Sequence, residues 1–322
     1  MKAITQDRYG SADVLALRDI ARPEQKPDEV LIRVQAAGVD QGVWHLMAGL
    51  PWVVRLGFGF TRPKTPVPGM DVAGVVEEIG PEVADFMVGD AVFGTCNGSF
   101  AEYAVARADR IAPIPANLTF EQAAAVPVSA YTALHGLRDA GKLEAGQTVM
   151  IIGAAGGVGH FAVQLAKAIG ADVTGVCSTD KMAMVRGLGA DHVIDYTAGD
   201  ITQGGQRYDL ILDIAGRRPL AGLRRILAPE GTLVIAGGEG GDRLLGGTHR
   251  QIGAMLLSSF IHQNLKTFIS TENRDDLYLL KDYIESGRLA PVIDRVFPLA
   301  EAADAIRHLE AGHACGKSVI SI

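Results

Sequence analysis

Residues 148–167 read TVMIIGAAGGVGHFAVQLAK. Residues 149–152 form an unbroken apolar run, the pattern of a parallel strand buried on both faces. Glycine and alanine then take over through Gly159. From Phe161 the period becomes helical, with Phe161, Leu165 and Ile169 on one stripe and Lys167 on the other side. Strand, glycine turn and helix are the context of a dinucleotide-binding motif. Glycine enters positive-φ regions freely and lets a pyrophosphate approach the backbone. The helix that opens after it presents unpaired amides and about half a unit of positive charge. Ala155, Gly156, Gly157, Val158 and Gly159 are therefore the expected phosphate cradle, with alanine at 154 where a first glycine is usual.

Working outward, the chain's 322 residues exceed one typical core and imply two domains. Nearly half of them, 48%, are apolar and 39 are glycine, which fits a globular α/β enzyme and excludes a disordered or fibrous chain. The net charge of −7 argues against nucleic acid and anionic membranes as partners. Cys96, Cys177 and Cys315 are scattered, so neither a disulfide framework nor a four-cysteine zinc site is expected. With no signal-peptide core after Met1 and no apolar run of membrane-spanning length, the expected location is the cytoplasm.

Before the glycine turn, short strands alternate with turn signals, which predicts a compact, barrel-like β domain. Val30, Ile32 and Val34 alternate with Leu31, Arg33 and Gln35, 72–79 form an extended run, and 91–94 and 100–105 are shorter strands. Asp40 and His45 follow the Gly38-Val39 turn. A carboxylate and an imidazole five residues apart can supply a proton or a metal site; the other reading is that Asp40 caps the following helix, which can coexist with a cofactor-facing role, and that His45 is a partly exposed helix residue. Residues 49–68 are aromatic, basic and aperiodic, the character of a lid or binding loop. Thr119, with Gln122 three residues on, predicts a capping box.

After the Lys167 helix, strands at 172–177, 192–195, 208–214 and 232–236, with a sixth at 265–269, alternate with helices. That is a doubly wound parallel sheet, with ligand beyond the carboxyl ends of its strands. The second strand ends Cys177-Ser178-Thr179, where an NAD site usually carries an acid on the ribose. Two hydroxyls and Lys181 suit a 2′-phosphate instead, so NADPH is the expected cofactor, with Tyr196 flanking the phosphate. The tail returns to short-strand character. The expected domains are 1–124 with 270–322, and 125–269 as an insertion.

PGMDVAGVVEEIG (68–80), GDAVFG (89–94), GSFAEYAVA (98–106), SAYTALHGL (129–137) and GQTVMIIGAAGGVGHFAVQLAK (146–167) resemble the medium-chain dehydrogenase/reductase superfamily, in its zinc-independent quinone oxidoreductase branch. The resemblance implies a GroES-like catalytic domain, a Rossmann domain and a homodimer joined edge to edge through the Rossmann sheets. Zinc-dependent relatives carry a cysteine where Asp40 stands, a His-Glu pair where Met70-Asp71 stands and a cysteine near Ser129. Met70 is a poor zinc ligand, so no catalytic zinc is expected. By family position Thr132 touches the nicotinamide side, Asp40 lies beside the ring, where many relatives have asparagine, and the backbone near Gly237 covers the nicotinamide; His45 and Trp52 are the substrate-side candidates. The expected activity is hydride transfer from NADPH to a quinone, with reduction of 2-alkenal or enone double bonds as the alternative. A third reading is a non-enzymatic NADPH-binding scaffold.

Overall fold

The computed structural model describes residues 1–203, 205–237, 244 and 246–322. In chain order the first strands are β1 (Lys2–Thr5), β2 (Ala16–Asp19), β3 (Glu29–Val39), β4 (Asp71–Ile79), β5 (Ala91–Thr95), β6 (Tyr103–Arg107) and β7 (Ile111–Pro113). Helices α1 (Gln41–Ala48) and α2 (Arg55–Phe58) fall between β3 and β4, and α3 (Phe120–Ala124) and α4 (Pro127–Leu134) follow β7. Next come β8 (Thr148–Ile152), α5 (Gly159–Ile169), β9 (Asp172–Cys177), α6 (Met182–Gly187), β10 (His192–Asp195), β11 (Tyr208–Asp213), α7 (Leu220–Ile226) and β12 (Leu227–Ile235). The chain closes with α8 (Thr248–Ser258), β13 (Asn264–Thr267), α9 (Arg274–Glu285), β14 (Ile293–Pro298), α10 (Ala302–Glu310) and β15 (Lys317–Ser321).

Two compact units result, Met1–Ser129 with Glu272–Ile322, and Ala130–Thr271. In the first, the sheet order is β14-β15-β3-β4-β5-β7, with β6 also on β3. Strand β3 is the spine, since it pairs antiparallel with β15, β4 and β6. Its inward residues Val30, Ile32 and Val34 are buried with Val72, Val76, Phe86 and Ile111. At its far end Val39 joins Val43, Met47, Phe100, Ile306 and Ile320 in a second cluster under α1 and α10.

The second unit is a six-stranded sheet of order β10-β9-β8-β11-β12-β13. All its pairings are parallel, as the continuous apolar strands require. Chain order reverses between β8 and β11, which is the switch point where such sheets take their ligand. Helix α5 buries Phe161, Val163 and Leu165 against it. Thr119 and Gln122 make the expected capping box on α3. Beyond Leu134 the chain widens into a π-type turn over His135–Ala140. No helix among the described residues is long and apolar enough to cross a membrane.

Candidate functional site

The glycine turn joins β8 to α5. Gly153 has φ 89°, and its amide and that of Ala154 donate to Val176 O on the neighbouring strand, which folds the turn over the sheet's end. A Cβ on Gly159 would lie 2.0 Å from Gly153 O, so only glycine lets α5 start this close to the strand. A Cβ on Gly156 would meet only Gly153 O, at 3.4 Å, which leaves that backbone open to a ligand. At the start of α5 the His160 amide donates to Gly156 O and the Ala162 amide to Val158 O, and in the turn the Gly156 amide donates to Gly153 O; a helix start leaves its other amides to a ligand. Ala155, Gly156, Gly157, Val158 and Gly159 therefore fit a pyrophosphate.

The neighbouring strand tips carry the remaining cofactor candidates. Asp195 at the end of β10 pairs in register with Cys177 at the end of β9. Tyr196, 50% exposed, continues that alignment through its amide to Cys177 O. Ser178 Oγ donates to Asp180, and Thr179 Oγ1 donates to Asp195. The Thr179 hydrogen bond holds the Asp195 carboxyl below the usual carboxylate range, with Thr197 adding to the effect. Sequence reading found no acid closing the second strand. The structure brings one in from the third strand, where the sequence offered no local signal. Burial pushes the Cys177 thiol up to about 11, and nearby carboxylates add to the shift. Gly237 follows β12, and a Cβ there would lie 1.8 Å from Ile214 O, so its backbone crosses the end of β11 closely. Gly238 lies outside the described residues.

Also at the sheet's carboxyl end, fully buried Asp213 accepts from the Gly216 amide at 3.0 Å and from Arg250 Nη2 at 2.5 Å. Nε and Nη1 of Arg250 are buried without hydrogen-bond partners. Thr132 is half-buried on α4.

In the first unit, Asp40 caps α1 by accepting from the Val43 amide at 3.0 Å through Oδ1. Its Oδ2 is buried and makes no hydrogen bond. Lys317 Nζ lies 3.9 Å from that oxygen and 3.1 Å from Asp71 Oδ2. Asp71 is fully buried and also accepts from the Val128 amide at 2.8 Å. Desolvation pushes its carboxyl up to about 7; Lys317 opposes this and Asp40 reinforces it. Glycine makes the arrangement possible. Gly38 sits on the strand between β15 and β4, and a Cβ there would fall 2.6 Å from Asp71 Oδ2. The sequence marked Asp40 and noted Asp71, but nothing near them pointed to Lys317.

His45 is half-buried, with Nδ1 2.7 Å from Leu50 O and its ring edge-on to Trp44. Trp52 is 49% exposed in a short 3₁₀ turn, with Arg55 over its ring.

The family history of this region raises the question of zinc. Among the described residues, no three His, Cys, Asp or Glu side chains come together to hold a metal ion. The two carboxylates already face an ammonium, which would repel a dication, and Met70 is a poor ligand nearby. A Cβ on Gly42 would sit 2.9 Å from Asp40 Oδ1 and 3.4 Å from Met70 Sδ. This donor set does not fit tetrahedral zinc.

Comparison with known proteins gives the class. Residues 26–116 match the alcohol dehydrogenase GroES-like domain, and residues 188–320 match a zinc-binding dehydrogenase domain. The 2-methylene-furan-3-one reductase of Solanum lycopersicum is 34% identical over 99% of this chain and 79% of its own length. The NADPH-dependent alkenal/one oxidoreductase, chloroplastic, of Arabidopsis thaliana is 36% identical over 99% of this chain and 79% of its own. The quinone oxidoreductase from Coxiella burnetii superposes with a TM-score of 0.87 at 29% identity, over 100% of this chain and 99% of that one. The chain belongs to the medium-chain dehydrogenase/reductase superfamily, in its quinone oxidoreductase branch.

Proposed function

We propose that the protein transfers a hydride from NADPH to the conjugated carbonyl of a quinone, without zinc. The observation that supports this reading is the donor set around Asp40, in which two buried carboxylates face the Lys317 ammonium. A quinone or an enone needs no Lewis acid, because its conjugation spreads the incoming charge. The relatives named for furanone and alkenal/one reduction favour 2-alkenals and enones as a second acceptor class.

NADPH supplies the hydride when bound. The turn from Ala155 to Gly159 takes its pyrophosphate. Ser178, Thr179 and Lys181 take the 2′-phosphate, with Tyr196 beside them; the two hydroxyls turn away from Asp180 and Asp195 to do so. The Gly237 backbone lies over the nicotinamide. Asp40 and Thr132 act on the reacting groups, and His45 and Trp52 shape the acceptor side. We also propose a homodimer formed edge to edge. Strand β13 is the outermost strand of its sheet, and Phe260 and Ile269 near it are 84% and 91% exposed. The scattered cysteines support a reducing compartment, here taken as the cytoplasm.

The test is NADPH consumption against a benzoquinone, a naphthoquinone, a 2-alkenal, a cyclic enone and a simple aldehyde, each with and without chelator. Quinone-dependent oxidation that prefers NADPH over NADH and survives chelation is expected. Enone turnover alone moves the protein to the second class. Aldehyde turnover lost on chelation contradicts the zinc-free reading. Tight NADPH binding with no turnover supports a scaffold.

A further inference from the structure

The aromatic and basic stretch between α1 and β4 turns its large apolar side chains outward. Leu56 is 73% exposed, Phe58 is 52% and Phe60 is 76%. They sit on the single turn of α2 and just beyond it. Glycine makes the turn that presents them: Gly59 has φ 121°, and a Cβ there would lie 2.1 Å from Arg62 O. One exposed apolar side chain is ordinary, whereas a cluster of large ones on one short stretch marks a contact surface.

The carbonyls at the tip of this loop are paired within the protein. The Lys64 amide donates to Phe58 O at 2.8 Å, and Lys64 Nζ donates to Gly57 O at 2.7 Å. The Tyr9 hydroxyl donates to Gly59 O at 2.5 Å, and the Gly59 amide donates to Arg55 O at 3.0 Å. At the loop's base the Arg55 guanidinium lies 4.6 Å from the Tyr9 ring centre and 5.8 Å from that of Trp52. A loop that meets only water can leave its carbonyls to solvent. One that enters lipid has to satisfy them internally.

Charge selects the kind of surface. The chain as a whole carries −7, yet no acid occurs between Asp40 and Asp71, and Arg55, Arg62 and Lys64 fall inside that gap. Asp7 is the acid that faces this side. Its carboxyl is held low by Arg18 first, and further by Arg62 and Arg8. Arg18 already pairs with it at 2.8 Å, so the rim of the patch stays cationic. Two copies meeting face to face about a two-fold axis would set that rim against itself, cation on cation. An anionic lipid surface matches both parts: acyl chains for the apolar tip and phosphates for the rim. Lys64 Nζ keeps two further donors for a phosphate.

We propose that residues 52–64 dock the protein on an anionic bilayer surface, with Leu56, Phe58 and Phe60 seated among the headgroups and Arg62 and Lys64 on lipid phosphates. The protein lies on the membrane and does not cross it. The proposal uses neither cofactor nor acceptor, so it stands or falls apart from the reductase reading.

The test is co-sedimentation of the whole protein with vesicles of phosphatidylcholine, made with and without phosphatidylglycerol. Trp44→Phe leaves Trp52 as the single tryptophan, a reporter at the loop's base. Binding to the phosphatidylglycerol vesicles is expected, weakened by added salt and accompanied by a blue shift of Trp52 emission. Phe58→Ser with Phe60→Ser should weaken binding by about 10-fold or more. Arg62→Gln with Lys64→Gln should weaken it by about 10- to 30-fold, with an unchanged circular dichroism spectrum in both variants. Absence of binding to phosphatidylglycerol vesicles overturns the proposal, as does binding that the phenylalanine pair leaves unchanged. Equal binding to both vesicle types overturns the anionic surface. Self-association that the phenylalanine pair abolishes, with no vesicle binding, assigns the patch to a second copy and overturns it too.

Discussion

Each unit buries a carboxylate against a cation, and the two sites are left with opposite deficits. In the Rossmann unit, Asp213 meets one guanidinium and one amide, its charge is matched, and Arg250 keeps two buried donors with nothing to bind. In the catalytic unit, two carboxylates share one ammonium, and the spare atom is an acceptor, Asp40 Oδ2. One site has donors to offer an anion and the other has a place for a proton. The difference follows from charge counting in a low-dielectric interior, where an unmatched group is expensive and therefore informative.

The largest expected effect comes from removing the shared cation. Lys317→Met leaves two carboxylates buried together and should cost about 3–5 kcal/mol, read as a lower midpoint in chemical denaturation. Adding Asp71→Asn should recover much of that loss. A Lys317→Met protein as stable as the parent would break the comparison at its root. The matched pair is the counterpart. Asp213→Asn keeps an acceptor for Gly216, and Arg250 has a 12% exposed side chain, so a smaller cost of about 1–3 kcal/mol is expected.

Next comes pH. The folded-state pKa of Asp71 lies above its unfolded value, so the folded protein binds that proton more tightly. Its contribution to stability is therefore complete below about pH 4 and is lost as pH rises through about 7. Unfolding free energy should fall across that window, and Asp71→Asn should flatten the slope. A slope unchanged in Asp71→Asn would place the titration elsewhere. The smallest effect is at the strand tips. Removing the carboxylate of Asp195, as in Asp195→Asn, should tighten NADPH by about two- to five-fold with little effect on NADH, measured by fluorescence titration.

What the sequence disclosed follows the reach of each interaction. The phosphate turn was legible because strand, glycines and helix are contiguous, and the close approach of Gly159 to Gly153 needs only that short stretch. The Asp40 cap and the Thr119 box are three-residue events. Lys317, by contrast, lies 246 residues from Asp71, and their contact depends on β3 passing between their strands with a glycine at the crossing point. Asp195 reaches Thr179 through the parallel pairing of β9 and β10, a register that no local pattern fixes. Gly38 looked like a turn residue in the sequence, whereas its role is to leave room for an ion pair.

The central claim is direct hydride transfer to a conjugated acceptor with no metal. Metal-stripped protein should be given NADPH deuterated at the transferring position, with a quinone and an enone in separate assays. Undiminished rates, a primary isotope effect on both acceptors and deuterium on the enone's β-carbon are expected. Activity that vanishes on stripping, returns with zinc and acts on simple aldehydes would contradict the account.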